Sequence, residues 1–151
     1  MLNKNVFRRD LKKSDPEAIR DIVRSTGFFN AEEIEIAVEL ADEFLSKGIE
    51  SGYQFIFLDN EKGTMGYSCY GKIPGTKSSF ALYWIAVHEK YRNQGLGKIL
   101  LQETEKAIFN QEGQGIYVET SSRAQYIPTR MFYEKNNYQL KTRFEDYYDE
   151  G

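Results

Sequence analysis

The stretch from Tyr83 to Leu101 constrains this chain more than any other. It reads Tyr-Trp-Ile-Ala-Val-His, then Glu-Lys-Tyr-Arg-Asn-Gln-Gly-Leu-Gly, then Lys-Ile-Leu-Leu. An apolar strand runs into a basic turn with two glycines, and that turn opens a helix. The first turn of a helix leaves backbone N–H groups without partners, and the helix dipole adds about half a positive charge there. Gly95 and Gly97 lack a Cβ, so a phosphate can approach the main chain. Arg92 and Lys98 bring mobile positive charge to the same end. A phosphate loop and a merely tight connection both fit this pattern. Two common phosphate motifs do not. The P-loop has four residues between its glycines and a Lys-Ser/Thr pair after them, and Gly95-Leu96-Gly97 runs on to Leu100 where the dinucleotide fingerprint has a third glycine. What remains is Arg92-x-x-Gly95-x-Gly97 after a strand.

Periodicity lays out the rest. Residues 5–11 read as a first strand. Ser14-Asp15-Pro16-Glu17 has the capping-box form, with Pro16 acceptable in a first turn, and Ile19, Ile22 and Val23 mark a helix that stops near Gly27. Asn30 with Glu33 repeats the box; Ile34, Val38, Ala41 and Leu45 follow at helical spacing, and Gly48 closes that helix. Glu32, Glu33, Glu35, Glu39, Asp42 and Glu43 lie off the apolar stripe, as a solvated face or as an acidic lip for a cationic ligand. Residues 53–58 and 64–73 read as a hairpin turning at 59–63. Residues 80–88 form a central strand, with Leu82, Trp84 and Ala86 on one face and Tyr83, Ile85 and Val87 on the other. A helix from Gly95 reaches Gln111, with Gly113 as its stop. Residues 116–120 are a fifth strand, 129–136 a short helix and 138–148 a last strand. The expected order is β-α-α-β-β-β-α-β-α-β. That is an α/β (α+β) chain with a six-stranded, mixed, mostly antiparallel sheet and helices on both faces, in one domain over residues 1–151.

Charge and composition exclude some functions. Twenty basic against 23 acidic residues give a net charge of −3, which argues against a nucleic-acid partner, because phosphate backbones are held by clustered Lys and Arg. The longest apolar runs fall far short of the roughly 20 residues a membrane span needs, and no basic-then-apolar leader is read at the start. Cys69 is the only cysteine and cannot close an internal disulfide, which suits a reducing, cytoplasmic setting. One histidine and one cysteine make no zinc spacing, so no metal is expected. The aromatic fraction of 15% suits a sheet-rich core. Trp84, Tyr67, Tyr70 and Phe29 either fill that core or line a pocket.

The turn Arg92-x-x-Gly95-x-Gly97, in its place between strand and helix, resembles the acyl-CoA pyrophosphate loop of the GNAT N-acetyltransferase superfamily. Phe132-Tyr133-Glu134-Lys135-Asn136-Asn137-Tyr138 resembles that superfamily's Phe-Tyr-Glu-x-x-Gly-Phe segment, and the order of elements is similar to the GNAT fold over nearly the whole chain. The resemblance implies acetyl-CoA as co-substrate. It implies that Arg92, Asn93, Gln94, Gly95, Leu96, Gly97 and Lys98 hold the pyrophosphate, that the main chain of Ile85, Ala86 and Val87 pairs with the pantetheine arm, and that Tyr133 is the general acid at sulfur. Three departures stand out. Asn137 replaces a glycine, although asparagine also tolerates a positive φ. Tyr126 stands where an asparagine usually touches the pantetheine, which leaves the arm to backbone, to Tyr126 or to Arg130. No seventh strand is read before Gly151, so that strand is absent, cut off, or supplied by a partner.

Acetyl transfer to an amine requires a held thioester, a neutral amine and a proton for the leaving thiolate. Neutralising a lysine-like amine at pH 7 costs about 4.6 kcal/mol, and an α-amino group only about 1 kcal/mol. The leaving thiol resembles cysteine, near 8.5, so a tyrosine near 10 can serve as its donor. In its own right Tyr133 is equally a half-buried aromatic with a bonded hydroxyl. Glu119, at the end of the fifth strand, is either a base whose strength burial raises or a partner of Arg123 or Arg130. Tyr83 faces that region or not according to a bulge, and His88 reads as structural. Residues 121–126 shape a pocket for acceptor or pantetheine.

The expected activity is transfer of acetyl from acetyl-CoA to a primary amine, of a small molecule, a lysine or a peptide N-terminus, by direct attack in a ternary complex. Positioning supplies much of the rate. Two alternatives are a non-catalytic acyl-CoA binding or sensing module and an interaction domain whose sheet edge captures a strand. A homodimer is left open; nucleic acid and membrane are not expected partners.

Overall fold

A computed structural model of the chain describes residues 5–119 and 127–139. The chain falls into two compact units, Met1–Tyr117 and Val118–Gly151.

The first unit carries strand β1 (Val6–Arg8), helix α1 (Asp15–Ser25), helix α2 (Ala31–Lys47), strands β2 (Gln54–Asn60), β3 (Gly63–Lys72) and β4 (Ser79–Val87), helix α3 (Leu96–Phe109) and most of strand β5 (Gly115–Val118). Short 3-10 turns occupy Gly48–Ser51 and Glu89–Tyr91. The second unit carries helix α4 (Ile127–Lys135). The fold is α/β and GNAT-like, with one mixed sheet in the order β1-β2-β3-β4-β5. β1, β2, β3 and β4 pair antiparallel in succession.

The expectation of six strands is corrected to five among the described residues. Tyr138 and Gln139, where the sixth was to begin, are not in a strand, and from Leu140 on that segment lies outside the described residues.

One face of the sheet carries the apolar layer formed by Ile19, Ile22 and Val23 of α1, Ile34, Val38 and Ala41 of α2, and Phe55, Phe57, Tyr67, Cys69 and Ala86 of the strands. Leu45 was expected in this stripe but is exposed; Phe44 packs beside Phe55 instead. On the other face α3 buries Leu100, Leu101, Thr104 and Ile108. A buried hydroxyl pair fixes its rotation: Thr104 Oγ1 donates to Leu100 O and accepts from Ser68 Oγ at 2.7 Å.

The two expected capping boxes part company. Asn30 Oδ1 accepts the Glu33 N–H and Glu33 Oε1 accepts the Asn30 N–H, the reciprocal arrangement read from sequence. Ser14 makes no side-chain cap. The neighbouring Asp15 is instead buried and takes the Lys12 N–H at 2.7 Å together with two bonds from the Arg8 guanidinium. The hairpin is tighter than expected, with Asn60 opposite Gly63.

β4 departs from simple alternation. Cys69 lies opposite Trp84, but Tyr70 lies opposite Leu82, so Tyr83 is an extra residue. The bulge reverses the phase. Trp84 and Ala86 face α1 and α2, whereas Leu82, expected beside them, stands opposite Tyr70 on the α3 face.

Candidate functional site

Ile85, Ala86 and Val87 lie opposite Ser68, Tyr67 and Gly66 at the end of β4. The strands come close here: a Cβ on Gly66 would sit 2.7 Å from the Ala86 carbonyl oxygen, so only glycine fits. The His88 N–H then donates to Met65 O at 2.7 Å. The 3-10 turn follows, and the Arg92 N–H closes it on Glu89 O.

Residues 93–98 carry the chain from the 3-10 turn into the first turn of α3. Asn93 (φ 64°) and Gly95 (φ 73°) are both left-handed, a conformation glycine adopts freely and asparagine tolerates. No side chain caps α3 at Gly95. The first intrahelical bond runs from the Ile99 N–H to Gly95 O. Among the described residues, none accepts from the N–H groups of Asn93, Gln94, Gly95, Leu96, Gly97 or Lys98. The Leu96 side chain is buried and anchors the turn, while Asn93, Gln94, Gly95 and Lys98 are exposed. Arg92 is paired with Glu89 Oε1 at 2.7 Å on the surface.

The aromatic residues divide. Tyr67 and Tyr70 are buried in the sheet, Tyr67 within the apolar layer under α1 and α2, while Tyr70 also borders a small pocket with Arg9, Phe44, Gln54 and Phe55. Trp84 meets Phe29 edge-on at 5.0 Å, and the bulged Tyr83, 41% exposed, meets Tyr53 edge-on at 5.4 Å. A cleft of about 430 Å³ lies elsewhere, among Arg8, Lys12, Asp15, Asp59, Lys62 and Thr64, and none of the expected site residues lines it.

In the second unit, Tyr133 is 8% exposed near the end of α4. Its ring sits edge-on to Phe132 at 5.3 Å and to Tyr138 at 5.4 Å. Burial lifts its phenol well above the ordinary tyrosine value, so it is protonated at neutral pH. Asn137 takes φ 74°, as the residue standing in for glycine must. The Tyr138 N–H then donates to Tyr133 O at 2.9 Å and ties off the helix. Arg130 is half-buried on the same helix, and Glu119 is exposed just past β5. The burial on which the expectation of a base at Glu119 rested is therefore absent. Tyr126 and the rest of 120–126 lie outside the described residues. Among the described residues, no cluster of His, Cys, Asp and Glu suits a metal, and no helix is long and apolar enough to cross a membrane.

Sequence reasoning missed the residues that hold the loop from outside. The Glu89 N–H is taken by Ser25 Oγ, Asp21 meets His88, and Asn60 Nδ2 donates to the Tyr91 hydroxyl. No local spacing marks them, because they come from α1 and β2.

Residues 51–140 match the family described as the acetyltransferase (GNAT) domain. A protein of the GNAT family from Desulfovibrio desulfuricans is 37% identical, with a TM-score of 0.94 over 98% of this chain and 93% of that one. At 18% identity, the PaiA N-acetyltransferase of Thermoplasma acidophilum, solved with coenzyme A, shares the fold with a TM-score of 0.75 over 93% of each chain. An aminoglycoside N-acetyltransferase solved with CoA does so at 13% identity and 0.72, over 95% of this chain and 93% of that one. No curated protein matches the sequence. From the glycine turn, the sheet order and these matches together, the chain belongs to the GNAT acetyltransferase family.

Proposed function

We propose that this protein transfers an acetyl group from acetyl-CoA to a primary amine by direct attack in a ternary complex. The observation that carries the reading is the row of N–H groups from Asn93 to Lys98 with no acceptor among the described residues, since unpaired N–H groups at a helix start are a ready site for a diphosphate. Gly95 and Gly97 allow close approach, and Lys98 and Arg92 add charge once Arg92 leaves Glu89. The main chain of Ile85, Ala86 and Val87 is the proposed partner of the pantetheine amides, with Tyr126 and Arg130 as further contacts along the arm. Proteins of this fold solved with coenzyme A support the same reading.

Tyr133 is the proposed donor to the departing thiolate. Burial keeps its proton in place until the sulfur develops charge. It also makes full transfer to a thiolate uphill, so the hydroxyl acts first as a hydrogen bond to sulfur. The amine loses its proton to Glu119 directly or through water. An α-amino group, which costs only about 1 kcal/mol to neutralise at pH 7, asks less of so exposed a base than a lysine does.

The test is thermal denaturation with coenzyme A and acetyl-CoA, followed by release of free thiol across a panel of amines. At 100 times Kd the ligand stabilises by about 2.7 kcal/mol, a rise in Tm of roughly 5–10 °C for a domain of this size. No shift with either ligand refutes the reading. Binding without thiol release favours the sensing module.

A further inference from the structure

Resting on the proposal that the 93–98 amides hold coenzyme A, the way those amides are kept in place assigns a role to the chain's one histidine. The His88 ring uses both nitrogens. Nδ1 accepts the Lys90 N–H at 3.2 Å and so caps the 3-10 turn that leads into the loop. That leaves the proton on Nε2, which donates to Asp21 Oδ2 of α1 at 3.1 Å. The turn is gripped again one residue on, where Ser25 Oγ accepts the Glu89 N–H at 3.0 Å while donating to Ile22 O. The end of α1 therefore holds both residues at which β4 becomes the loop.

Only a neutral imidazole is acceptor and donor at once. We infer that His88 is a positioning residue for the phosphate loop and that its neutral, Nε2-protonated form is the one that holds the loop for coenzyme A. A proton on Nδ1 turns the acceptor of the Lys90 N–H into a second donor aimed at it. The ring then keeps Asp21 and releases the turn. Among the described residues, the groups at His88 are Asp21 from α1, the uncharged Met65 carbonyl of β3 at the His88 N–H, the Lys90 N–H at Nδ1 with the Lys90 ammonium over the Tyr91 ring, and that ring edge-on at 6.4 Å. Glu89 is turned away to Arg92.

Three full-length proteins test this: wild type, His88→Ala and His88→Asn. Asparagine places an acceptor oxygen where Nδ1 stands, and it cannot be protonated there. Coenzyme A affinity is measured by calorimetry from pH 8 to 5.5, and exchange of the Lys90 amide is followed without ligand. His88→Ala is expected to weaken binding about tenfold at pH 8, the size of one lost cap, and to speed Lys90 exchange. His88→Asn is expected to recover most of the affinity and the protection. Wild type is expected to lose affinity more steeply than His88→Asn toward acid pH, the titration of the ligand's own phosphates being common to both. Wild-type binding matched by His88→Ala, or identical pH profiles for wild type and His88→Asn, overturns the inference. A wild type that binds no coenzyme A overturns the functional reading and this one with it.

Discussion

Tyr67 buries its hydroxyl completely and, among the described residues, nothing bonds to it. The ring stacks on Phe57 at 6.0 Å and Phe55 at 6.4 Å, and burial raises its phenol well above the ordinary value. The ring adds packing while the hydroxyl costs desolvation without return, about 1–3 kcal/mol for an orphaned group. Tyr67→Phe is therefore expected to stabilise the protein by about 1 kcal/mol, read as a higher urea midpoint at unchanged slope. A lower midpoint would reveal a partner for the hydroxyl. Tyr133 carries the opposite expectation. Among the described residues its hydroxyl has no hydrogen bond, and it is not among the sealed, unpartnered ones. If it serves the leaving sulfur, Tyr133→Phe lowers kcat about 10²-fold with little change in the KM for acetyl-CoA. Steady-state kinetics separate that from a packing defect, which would move the melting temperature and both constants together.

At the scale of elements, the junction of β4 and α3 depends on backbone that only a few residues adopt. A Cβ on Gly95 would meet nothing within 4 Å, so space is not the constraint; the φ of 73° is. Gly95→Ala is expected to cost about 1–2 kcal/mol for the left-handed backbone and to weaken coenzyme A binding while leaving the sheet's circular dichroism intact. Calorimetry on the purified variant checks both. This junction was legible in the sequence because everything it needs is local: an apolar run, two glycines, two basic residues and the start of a helical stripe. Asn137 was legible for the same reason, since its place after Tyr133 and its tolerance of positive φ are both local facts. The bulge at Tyr83 was only half legible. Alternation over residues 80–87 has no mark of an extra residue, and the phase change depends on how Cys69 and Tyr70 of β3 align with it. Ser14 misled because a capping motif cannot show that Arg8 claims its neighbour Asp15. The clamps on the loop were invisible, since Ser25 and Glu89 are 64 residues apart and Asp21 and His88 are 67 apart.

Across the first unit, one side chain stitches three pieces together. Arg8 of β1 bonds Asp15 at the start of α1 and Asp59 of β2, and its guanidinium lies 4.5 Å over the Phe57 ring. Thr64 of β3 completes the group by donating to Asp59 Oδ1 at 2.7 Å. Asp15 is almost wholly buried, so removing its cation leaves a desolvated carboxylate, a change that costs about 3–5 kcal/mol. Arg8→Met is expected to lose stability of that order. The same group sets an acid limb. Partial burial pulls the Asp59 carboxyl upward, but the bonds from Arg8 and Thr64 outweigh it and hold it below the ordinary aspartate value. The folded chain then binds fewer protons at Asp59 than the unfolded chain does. Its contribution is complete above the ordinary carboxylate range and disappears as pH falls through the lower, folded value. Urea midpoints taken from pH 7 down to about 2.5 should therefore fall most steeply below about pH 4. Asp59→Asn should start from a lower midpoint at pH 7 and fall less over the same range. A wild-type midpoint that rose on acidification, or an equal slope in the variant, would mean that this carboxylate does not secure β1 to the hairpin.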